Sequence, residues 1–240
     1  MNGNEGLKAL ATNMLDLDLS TRQIDAFELY ARELLAWNKR YNLTAITDPV
    51  EIEIKHFIDS LSCLKVAQFR GNDSVIDIGT GAGLPGLPLK IVCPSIHMTL
   101  VESIRKKADF CEHVIEKLGL DGVEVIHGRA ETLGQNARHR ASYDWALARA
   151  VALAPVLLEY LLPFLKLKGH AVLQKGSTGP KEIQSAAKAL AVLGGEVVQM
   201  SPVELPKVTE PRYLILVRKC AATPEKYPRR PGMPAKRPLG

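Results

Sequence analysis

The feature that most constrains this chain is a glycine-rich segment that follows a short apolar run. Residues 75–86 read VIDIGTGAGLPG, where Asp77 interrupts the apolar run and glycine then occupies positions 79, 81, 83 and 86. Glycine adopts backbone conformations, and permits close approaches of another group, that a Cβ atom would prevent. A strand that leads through such a loop into a helix is typical of α/β proteins that hold a ligand against the loop backbone. The segment therefore predicts a ligand loop at the end of the first strand.

The pattern downstream of this loop predicts an α/β domain. Short β-type segments alternate with longer amphipathic ones, and the last two β-type segments have no long helix between them. The predicted strands cover 74–79, 98–103, 123–128, 144–149, 170–175, 195–200 and 212–219, and the predicted longer helices lie near 85–92, 104–119, 153–165 and 180–193. Strand–helix alternation indicates a parallel sheet with helices on both faces. The last two strands are expected to form an antiparallel hairpin at the sheet edge.

The N-terminal third of the chain is predicted to be helical. Ser20 and Gln23 have the spacing of a capping box, and apolar residues recur at helical intervals after them. Asp48 before Pro49 fits an N-cap followed by proline at the first helical position. We therefore expect two helices here, one from about residue 20 and one from residue 49.

These patterns divide the chain into a helical extension (1–65), an α/β domain (66–220) and a tail (221–240). The tail has five basic residues and one acidic residue, so most of the chain's net charge of +5 lies there. Its five prolines are expected to exclude helix and interior strand. A basic, extended tail suits nucleic-acid phosphates, and a solvated, disordered end is the alternative. Composition leaves both interpretations open.

Composition also narrows the class of protein. Hydrophobic residues make up 46% of the chain, which is enough for a sizeable core. The sequence contains no run of eighteen apolar residues and no basic-then-apolar N-terminal pattern, so we expect neither a membrane span nor a signal peptide. The four cysteines form no Cys-x-x-Cys pair, which disfavours a zinc ribbon or a disulfide framework. We expect a cytoplasmic protein with free thiols and no membrane partner.

Two ligand classes fit the glycine loop. Gly79-x-Gly81-x-Gly83 suits a loop for S-adenosylmethionine, whereas Gly81-x-Gly83-x-x-Gly86 also satisfies the dinucleotide pattern. Glu102, at the end of the second strand, can accept both hydroxyls of a ribose in either ligand. Asp77 and the final hairpin favour methyl transfer, because an acid there can hold the methionine part or an adjacent water molecule. The glycine spacing alone does not decide between the two.

Several motifs occur together and in order along the chain. They are WNKRYNLTAITD, HFIDSL, VIDIGTGAGLPG, LVESIRKK, VEVIHGRAE, ARAVA and QKG. In this combination the chain resembles the RsmG (GidB) family of 16S ribosomal RNA guanine-N7 methyltransferases. The resemblance implies a class I, Rossmann-like fold that binds S-adenosylmethionine, with a seven-stranded, mostly parallel sheet, a terminal antiparallel hairpin and an N-terminal helical extension. It also implies methylation of one guanine in the 530 loop.

The resemblance carries particular cofactor-binding residues. Gly79 and Leu84 match loop contacts to the cofactor, and Glu102 matches the ribose ligand. Ala130 and Glu131 match backbone and side-chain contacts near the adenine. The remaining expected cofactor ligands, from the loop itself and from the end of the fourth strand, are Asp77, Gly81 and Arg149.

The expected chemistry needs few catalytic groups. Guanine N7 has an available lone pair and no proton, so it can attack the sulfonium methyl directly, and neither a general base nor a metal is implied. The fourth strand ends in ARAVALAP rather than the Asn/Asp-Pro-Pro-aromatic run typical of amine methylation, and no cysteine nucleophile is expected there. We expect Arg149 to position substrate or cofactor by binding a phosphate, a base oxygen or the cofactor carboxylate. A structural salt bridge is the alternative.

Candidate RNA contacts come from the extension, the start of one helix and the tail. His56 is expected in the segment near the cofactor mouth, together with Asn38, Asp59 and Ser60, whereas His127 is expected to be structural. Trp37, Tyr41 and Tyr227 are candidate stacking residues, although Trp37 favours the core. The basic candidates are Lys106, Lys107, Arg229, Arg230, Lys236 and Arg237. The expected partner is 16S ribosomal RNA or the small ribosomal subunit, and we expect a monomer.

Three other functions remain compatible with parts of the pattern. They are a methyltransferase for a small molecule or protein, an NAD(P)-dependent oxidoreductase, and a non-catalytic RNA-binding module. The oxidoreductase is disfavoured because the sequence has no evident Tyr-x-x-x-Lys group for hydride transfer. A methyltransferase for a small molecule or protein differs from an rRNA methyltransferase in its methyl acceptor. A non-catalytic RNA-binding module differs because its RNA binding would not need the glycine loop.

Overall fold

The computed structural model describes residues 3–239, so residues 1 and 2 of the predicted extension and residue 240 of the predicted tail lie outside it. The described helices are α1 Gly3–Leu15, α2 Thr21–Tyr41, α3 Pro49–Ile52, α4 Asp59–Leu61, α5 Gly86–Val92, α6 Arg105–Leu118, α7 Ala130–Leu133, α8 Ala154–Leu161, α9 Gly179–Ser185, α10 Ala187–Leu193 and α11 Met233–Lys236. The strands are β1 Ser74–Ile78, β2 His97–Glu102, β3 Val123–His127, β4 Tyr143–Arg149, β5 Leu165–Lys175, β6 Gly195–Val203 and β7 Arg212–Lys219.

The seven strands form one sheet in the order β3-β2-β1-β4-β5-β7-β6. Strands β1 to β5 pair in parallel, and β7 pairs antiparallel with both β5 and β6. The predicted class I architecture and its edge hairpin are confirmed. Because the chain order reverses between β1 and β4, the carboxyl ends of these two strands open a crevice where α/β sheets bind ligands.

The predicted boundaries differ from the structure mainly around β5. This strand begins at Leu165, which pairs with Tyr143, and the pairing then shifts register before Trp145 meets His170. The sequence shows only the regular part of the strand after residue 170. The predicted helix near 180–193 is two helices, which are separated at Ala186.

Two hydrophobic clusters cover the two faces of the sheet. One cluster joins the N-terminal helices with α5 and α6, and the other joins α8, α9 and α10 with part of the tail. Among residues 3–239, no helix combines the length and the apolar character that crossing a membrane requires.

The helical extension packs directly behind the glycine loop. The capping box of Ser20 and Gln23 is present at the start of α2, and Asp48 caps α3 as predicted. From Pro49 to Lys65 the helix is continuous but changes geometry, with a π-helical stretch at Glu53–Ile58. The hydroxyl of the fully buried Tyr30 in α2 donates a hydrogen bond to the carbonyl of Ala82 in the loop. The extension therefore helps to fix the position of the glycine loop.

The tail contradicts both interpretations of its composition. It is neither a free extended arm nor a solvated end, because Tyr227, Pro228, Pro234 and Leu239 are buried. It also contains the short helix α11, which the prolines were expected to exclude. Pro234 lies in the first turn of α11, where the missing N–H has no intrahelical partner to lose.

Candidate functional site

The glycine loop between β1 and α5 is fixed by its own backbone. Gly79 N–H donates to the carbonyl of Val101 at 2.8 Å, which ties the loop to β2. Gly79, Gly81 and Gly83 all have positive φ, at 69°, 63° and 89°, a region that side chains other than glycine rarely adopt. A Cβ at Gly83 would lie 2.4 Å from Leu87, whereas a Cβ at Gly81 would meet only Gly79 O, at 4.0 Å. Gly81 therefore faces open space, and the other glycines face the protein.

Asp77 holds the loop in place through one carboxylate oxygen, and its other oxygen has no partner among the described residues. Its carboxylate is completely buried, and Oδ2 accepts hydrogen bonds from Thr80 Oγ1 at 2.7 Å and from Gly86 N–H at 2.9 Å. Burial raises the pKa of this carboxyl to about 6, although both hydrogen bonds oppose that shift. Oδ1 is buried and has no hydrogen-bond partner among the described residues. This free acceptor fits one donor, such as a water molecule or the amino group of a ligand.

Glu102 at the end of β2 is oriented by two backbone bonds. Oε2 accepts from Gly81 N–H at 2.9 Å, and Oε1 accepts from Ile104 N–H at 2.8 Å. Oε1 also accepts from Ser103 Oγ at 3.5 Å, whereas Oε2 keeps a second lone pair for a hydroxyl donor. Glu102, the predicted acceptor for the ribose hydroxyls, is therefore held against the open side of the loop.

The next strand end places Ala130 and Glu131 in the one-turn helix α7. Ala130 and Glu131 are both buried. Glu131 Oε1 accepts from Tyr160 Oη at 3.3 Å and from Gly232 N–H of the tail at 2.9 Å. This oxygen thus already bonds α8 and the tail, and the contact of Glu131 near the adenine stays a prediction.

Arg149 at the end of β4 lies against the helical extension. Its Nη1 donates to Asp59 Oδ2 at 2.9 Å and to the carbonyl of Lys55 at 3.1 Å. The alternative of a salt bridge is thus present, but the acid comes from the extension rather than from a strand end. Both side chains are largely buried, with exposed fractions of 16% for Arg149 and 9% for Asp59.

A cavity of about 300 Å³ opens beside Arg149. It lies between the extension and the carboxyl ends of β4 and β5, and Ala150 joins it to the loop, because the next residue, Val151, packs over Gly79. His56 lines the cavity and its Nε2 lies 2.9 Å from Thr44 Oγ1. Burial, with a contribution from the charge of Arg149, lowers the pKa of His56 to about 4, so this imidazole is neutral at neutral pH.

The sequence comparisons place the chain in a known family. The family model described as "GidB: rRNA small subunit methyltransferase G" matches residues 23–209. A "Ribosomal RNA small subunit methyltransferase G" of Desulforamulus reducens is 46% identical over 229 residues and covers 95% of both chains. A protein of the same name from Roseiflexus castenholzii is 48% identical and covers 93% of this chain and 94% of its own.

The chain belongs to the GidB family. The resemblance in the motifs is thereby confirmed, and S-adenosylmethionine is the cofactor. The dinucleotide alternative for the glycine loop is excluded. The open side of Gly81, the oriented Glu102 and the free Asp77 Oδ1 fit this group, because they offer bare backbone, ribose acceptors and an acceptor for an amino group.

Solved structures agree on the fold. A SAM-dependent methyltransferase from Aquifex aeolicus superposes with a TM-score of 0.56 at 19% identity, covering 74% of this chain and 97% of its own. The [4+2]-cyclase SpnF superposes with a TM-score of 0.57 at 14% identity, covering 84% of this chain and 97% of its own. Since a cyclase shares the architecture, the fold alone does not fix the reaction.

The predicted RNA candidates separate into three groups. Lys106, Arg230, Lys236 and Arg237 are exposed, and Lys107 is partly exposed. Arg229 is partly exposed, and it forms an ion pair with the buried Glu159. Tyr227 is buried and cannot stack on a base, which corrects that prediction.

The extension candidates also divide by burial. Trp37 packs against Phe110 and His113, in line with its expected place near the core, while its neighbour Tyr41 is 38% exposed. Asn38 holds the turn to Thr44 by two hydrogen bonds of 2.9 Å. Ser60 is buried and donates to the carbonyl of His56.

Sequence reasoning missed part of the cavity wall. Gln174 and Lys175 lie in the QKG motif, which supported the family resemblance without being assigned a role, and both line the cavity. Arg212 and Tyr213 also line it. Because β7 runs antiparallel, its first residues reach the edge where β4 and β5 end. The predicted hairpin contained that signal.

Proposed function

We propose that this chain transfers a methyl group from S-adenosylmethionine to N7 of one guanine in the 530 loop of 16S ribosomal RNA. It would act as a monomer in the bacterial cytoplasm, with the small ribosomal subunit or its RNA as partner. Family membership supports a small-subunit rRNA substrate, since relatives that match almost the whole chain carry that name. The observation that carries the guanine assignment is the cavity beside Arg149, which adjoins the cofactor loop.

The charges around this cavity suit a neutral base better than a phosphate. Arg149 is paired with Asp59, and Lys175 Nζ lies 2.6 Å from Glu182 Oε2. Lys55 also lines the cavity, and it is paired at 2.6 Å with Glu51, which is not a wall residue. His56 is neutral. Arg212 carries the remaining positive charge of the wall. A mostly compensated, polar wall can bind a purine by hydrogen bonds without attracting the RNA backbone into the cavity.

Gln174 supplies an acceptor next to this wall. Its Nε2 donates to the carbonyl of Asp59 at 2.7 Å, whereas its Oε1 is buried without a partner among residues 3–239. An unpaired buried acceptor is costly, so a donor from a bound ligand would be favourable there. The N1–H and amino groups of guanine are such donors, and adenine has no N1–H. We propose that Gln174 recognises this edge, while the guanidinium of Arg149 or Arg212 donates to O6.

The proposed reaction depends on alignment. S-adenosylmethionine supplies a methyl group on a positively charged sulfur. The side chains of the cavity would hold guanine so that its N7 lone pair points along the line from sulfur to methyl, and they would exclude water. N7 carries no proton in guanine, so the chain needs no general base, and the neutral His56 is suited to positioning rather than proton transfer.

The first test is a methyl-transfer assay with three acceptors. Labelled S-adenosylmethionine is mixed with the purified protein and with unmodified small subunits, naked 16S rRNA or no RNA. Borohydride–aniline cleavage then maps N7-methylguanine. We expect cleavage at one guanine of the 530 loop. Bound cofactor without label in any RNA would contradict the substrate assignment and direct attention to small-molecule or protein acceptors.

A further inference from the structure

The tail contacts the part of the chain that follows β3. Gln135 Nε2 donates to the carbonyls of Glu225 at 3.0 Å and Pro228 at 2.8 Å. Arg140 donates to the carbonyls of Thr223, Pro224 and Tyr227, and also to the carbonyl of Gly134 at the end of α7. We call this set, together with the Arg229–Glu159, Gly232–Glu131 and Pro228–Gly134 contacts described below, the tail–α7 contact.

Arg229 anchors the tail through the buried Glu159 of α8. Glu159 is 0% exposed, and its carboxylate accepts from the backbone N–H of Arg229 at 2.8 Å, from Nε at 2.9 Å and from Nη2 at 2.7 Å. A buried carboxylate is tolerated only when its charge is compensated. This fork-shaped pairing therefore fixes the tail at one register along α8.

Three residues further along, the tail reaches α7. Gly232 N–H donates to Glu131 Oε1 at 2.9 Å, and Tyr160 Oη reaches the same oxygen. Pro228 packs so closely on Gly134 that a Cβ at Gly134 would lie 2.8 Å from it. Contacts of the tail thus flank α7 at both of its ends.

A four-residue helix such as α7 is not stable by itself, since helices of this length depend on tertiary contacts. The N-terminus of α7 is Ala130, beside the carboxyl end of β3, where the adenine of the cofactor is proposed to lie. The tail–α7 contact supplies much of what holds this turn. Its anchoring cation, Arg229, is already paired with Glu159.

We infer that the C-terminal tail is a structural part of the cofactor site, and that Arg229 is a positioning residue for S-adenosylmethionine. Arg229 fixes the position of the tail through its pairing with Glu159. The tail in turn fixes the position of α7, and α7 fixes the backbone at Ala130. The inference rests on the proposed adenine contact of Ala130. Its tests need no RNA, so they separate it from a failure of the guanine assignment.

The first experiment measures cofactor affinity after the anchor is removed. Arg229→Ala is compared with Arg218→Ala, which breaks an exposed arginine–glutamate pair of 2.8 Å on the β6–β7 hairpin. Calorimetric titration with S-adenosylhomocysteine is expected to show an affinity loss of roughly two- to thirtyfold for Arg229→Ala, the range of couplings carried through intervening residues. Arg218→Ala is expected to bind like the unchanged protein. Equal affinity in a folded Arg229→Ala would overturn the inference.

Arg229→Ala leaves Glu159 buried without a partner, so a loss of folding has to be separated from a loss of binding. The second variant, Glu159→Gln with Arg229→Gln, removes both charges and keeps two amides that can pair. We expect this variant to fold and still to lose several-fold cofactor affinity, because the fork-shaped register is gone. A folded double variant with full affinity would overturn the inference.

A second measurement uses the unchanged protein. Coupling between two sites is reciprocal, so a tail that strengthens cofactor binding must itself be stabilised by the cofactor. Addition of S-adenosylhomocysteine is expected to slow amide hydrogen exchange at residues 227–233 and at 130–135, as well as in the glycine loop. Slowing at the loop alone, with unchanged exchange in the tail, would show that the tail is uncoupled and would overturn the inference.

Discussion

The glycine loop and the C-terminal tail are both rich in residues that break regular structure, yet their sequences predict their structures very differently. The turn of the loop is formed by neighbours in sequence, because Asp77 binds Thr80 and Gly86 within nine residues, and distant residues such as Tyr30 only add to it. The tail is built from distant partners, since Arg229 meets Glu159, seventy residues away. Local spacing is visible in a sequence, whereas a partner on another helix is not. Both interpretations that composition left open for the tail, an extended arm and a solvated end, were therefore wrong.

The same difference shows how charges should be interpreted. In the tail, five basic residues indicated an RNA-binding arm, but one of them neutralises a buried carboxylate. In the loop, the single carboxylate of Asp77 indicated a ligand contact, but most of its bonds hold the loop itself. In both regions, burial decides which charged group faces the ligand and which one supports the fold.

The largest expected effect breaks the loop. Gly81→Val places a side chain in the open space beside Glu102, where the cofactor is proposed to lie. We expect cofactor affinity to fall by roughly a hundredfold, because overpacking costs up to about 3 kcal/mol and about 1.4 kcal/mol is a tenfold change. Calorimetric titration with S-adenosylhomocysteine measures the change.

A matched control isolates the backbone strain of this substitution. Gly119 ends α6 with φ at 58°, close to the 63° of Gly81, and a Cβ there meets nothing within 4 Å. Gly119→Val should lower stability by about 1–2 kcal/mol, the cost of a side chain at positive φ, and leave cofactor affinity unchanged. If Gly81→Val binds cofactor as well as this control does, the loop assignment is wrong.

The second prediction concerns Arg149, which belongs to both the site and the fold. Arg149→Ala removes the cavity guanidinium, and methyl transfer should fall by roughly a hundredfold because the base and the methyl group lose alignment. It also leaves Asp59 largely buried and unpaired. We therefore expect stability to fall by about 3 kcal/mol, or about 10 °C in melting temperature.

A companion variant separates these two losses. In Asp59→Asn with Arg149→Ala, no uncompensated charge remains, so melting temperature should recover most of its loss. Activity should stay low if Arg149 positions a reactant. Recovery of methyl transfer together with stability would make the arginine purely structural. Methyl transfer is measured as the single-turnover rate at saturating cofactor, and the double variant is compared with Asp59→Asn alone.

Much of the frame that positions the site could be predicted from local patterns. The capping box of Ser20, the N-cap of Asp48 and the edge hairpin follow from short-range rules, and the structure has all three. The cavity wall could not be predicted in this way, because Gln174 and Asp59 meet only after the extension folds over β5. The orientation of Glu131 also depends on a tail residue, Gly232, that lies 101 positions later.

The third prediction uses two buried groups whose pKa shifts have opposite effects on stability. His56, with its pKa lowered from 6.5 to about 4, stabilises the fold above pH 6.5, and this contribution is lost as pH falls through 4. Asp77, with its pKa raised from 3.8 to about 6, contributes below pH 3.8, and this contribution is lost as pH rises through 6. Between pH 4 and 6 the two slopes oppose each other.

Removing one of these two groups should reveal the pH dependence of stability that the other contributes. Asp77→Asn is expected to lose about 2–3 kcal/mol more stability than the unchanged protein when pH falls from 6.5 to 4, since about two pKa units no longer offset the protonation of His56. His56→Gln should lose less over the same range. Urea unfolding at several pH values measures the slopes. Identical slopes in all three proteins would contradict the shifts of both groups.

The smallest expected effect tests what remains of the tail's predicted role in RNA binding. Arg230, Lys236 and Arg237 are exposed and lie on the segment that Arg229 anchors, so the tail can present them at a fixed place beside the cofactor site. Changing all three to alanine should lower the slope of log affinity for 16S rRNA against log salt by about 3, or about 1 for each phosphate that is no longer neutralised. Cofactor affinity should not change, in contrast to Arg229→Ala.

Lys188→Ala on α10 gives the effect of one exposed charge elsewhere on the surface. If the three tail residues together change the slope no more than that single lysine does, the tail serves the cofactor site alone, and RNA must be held by other basic residues such as Lys106 and Lys107.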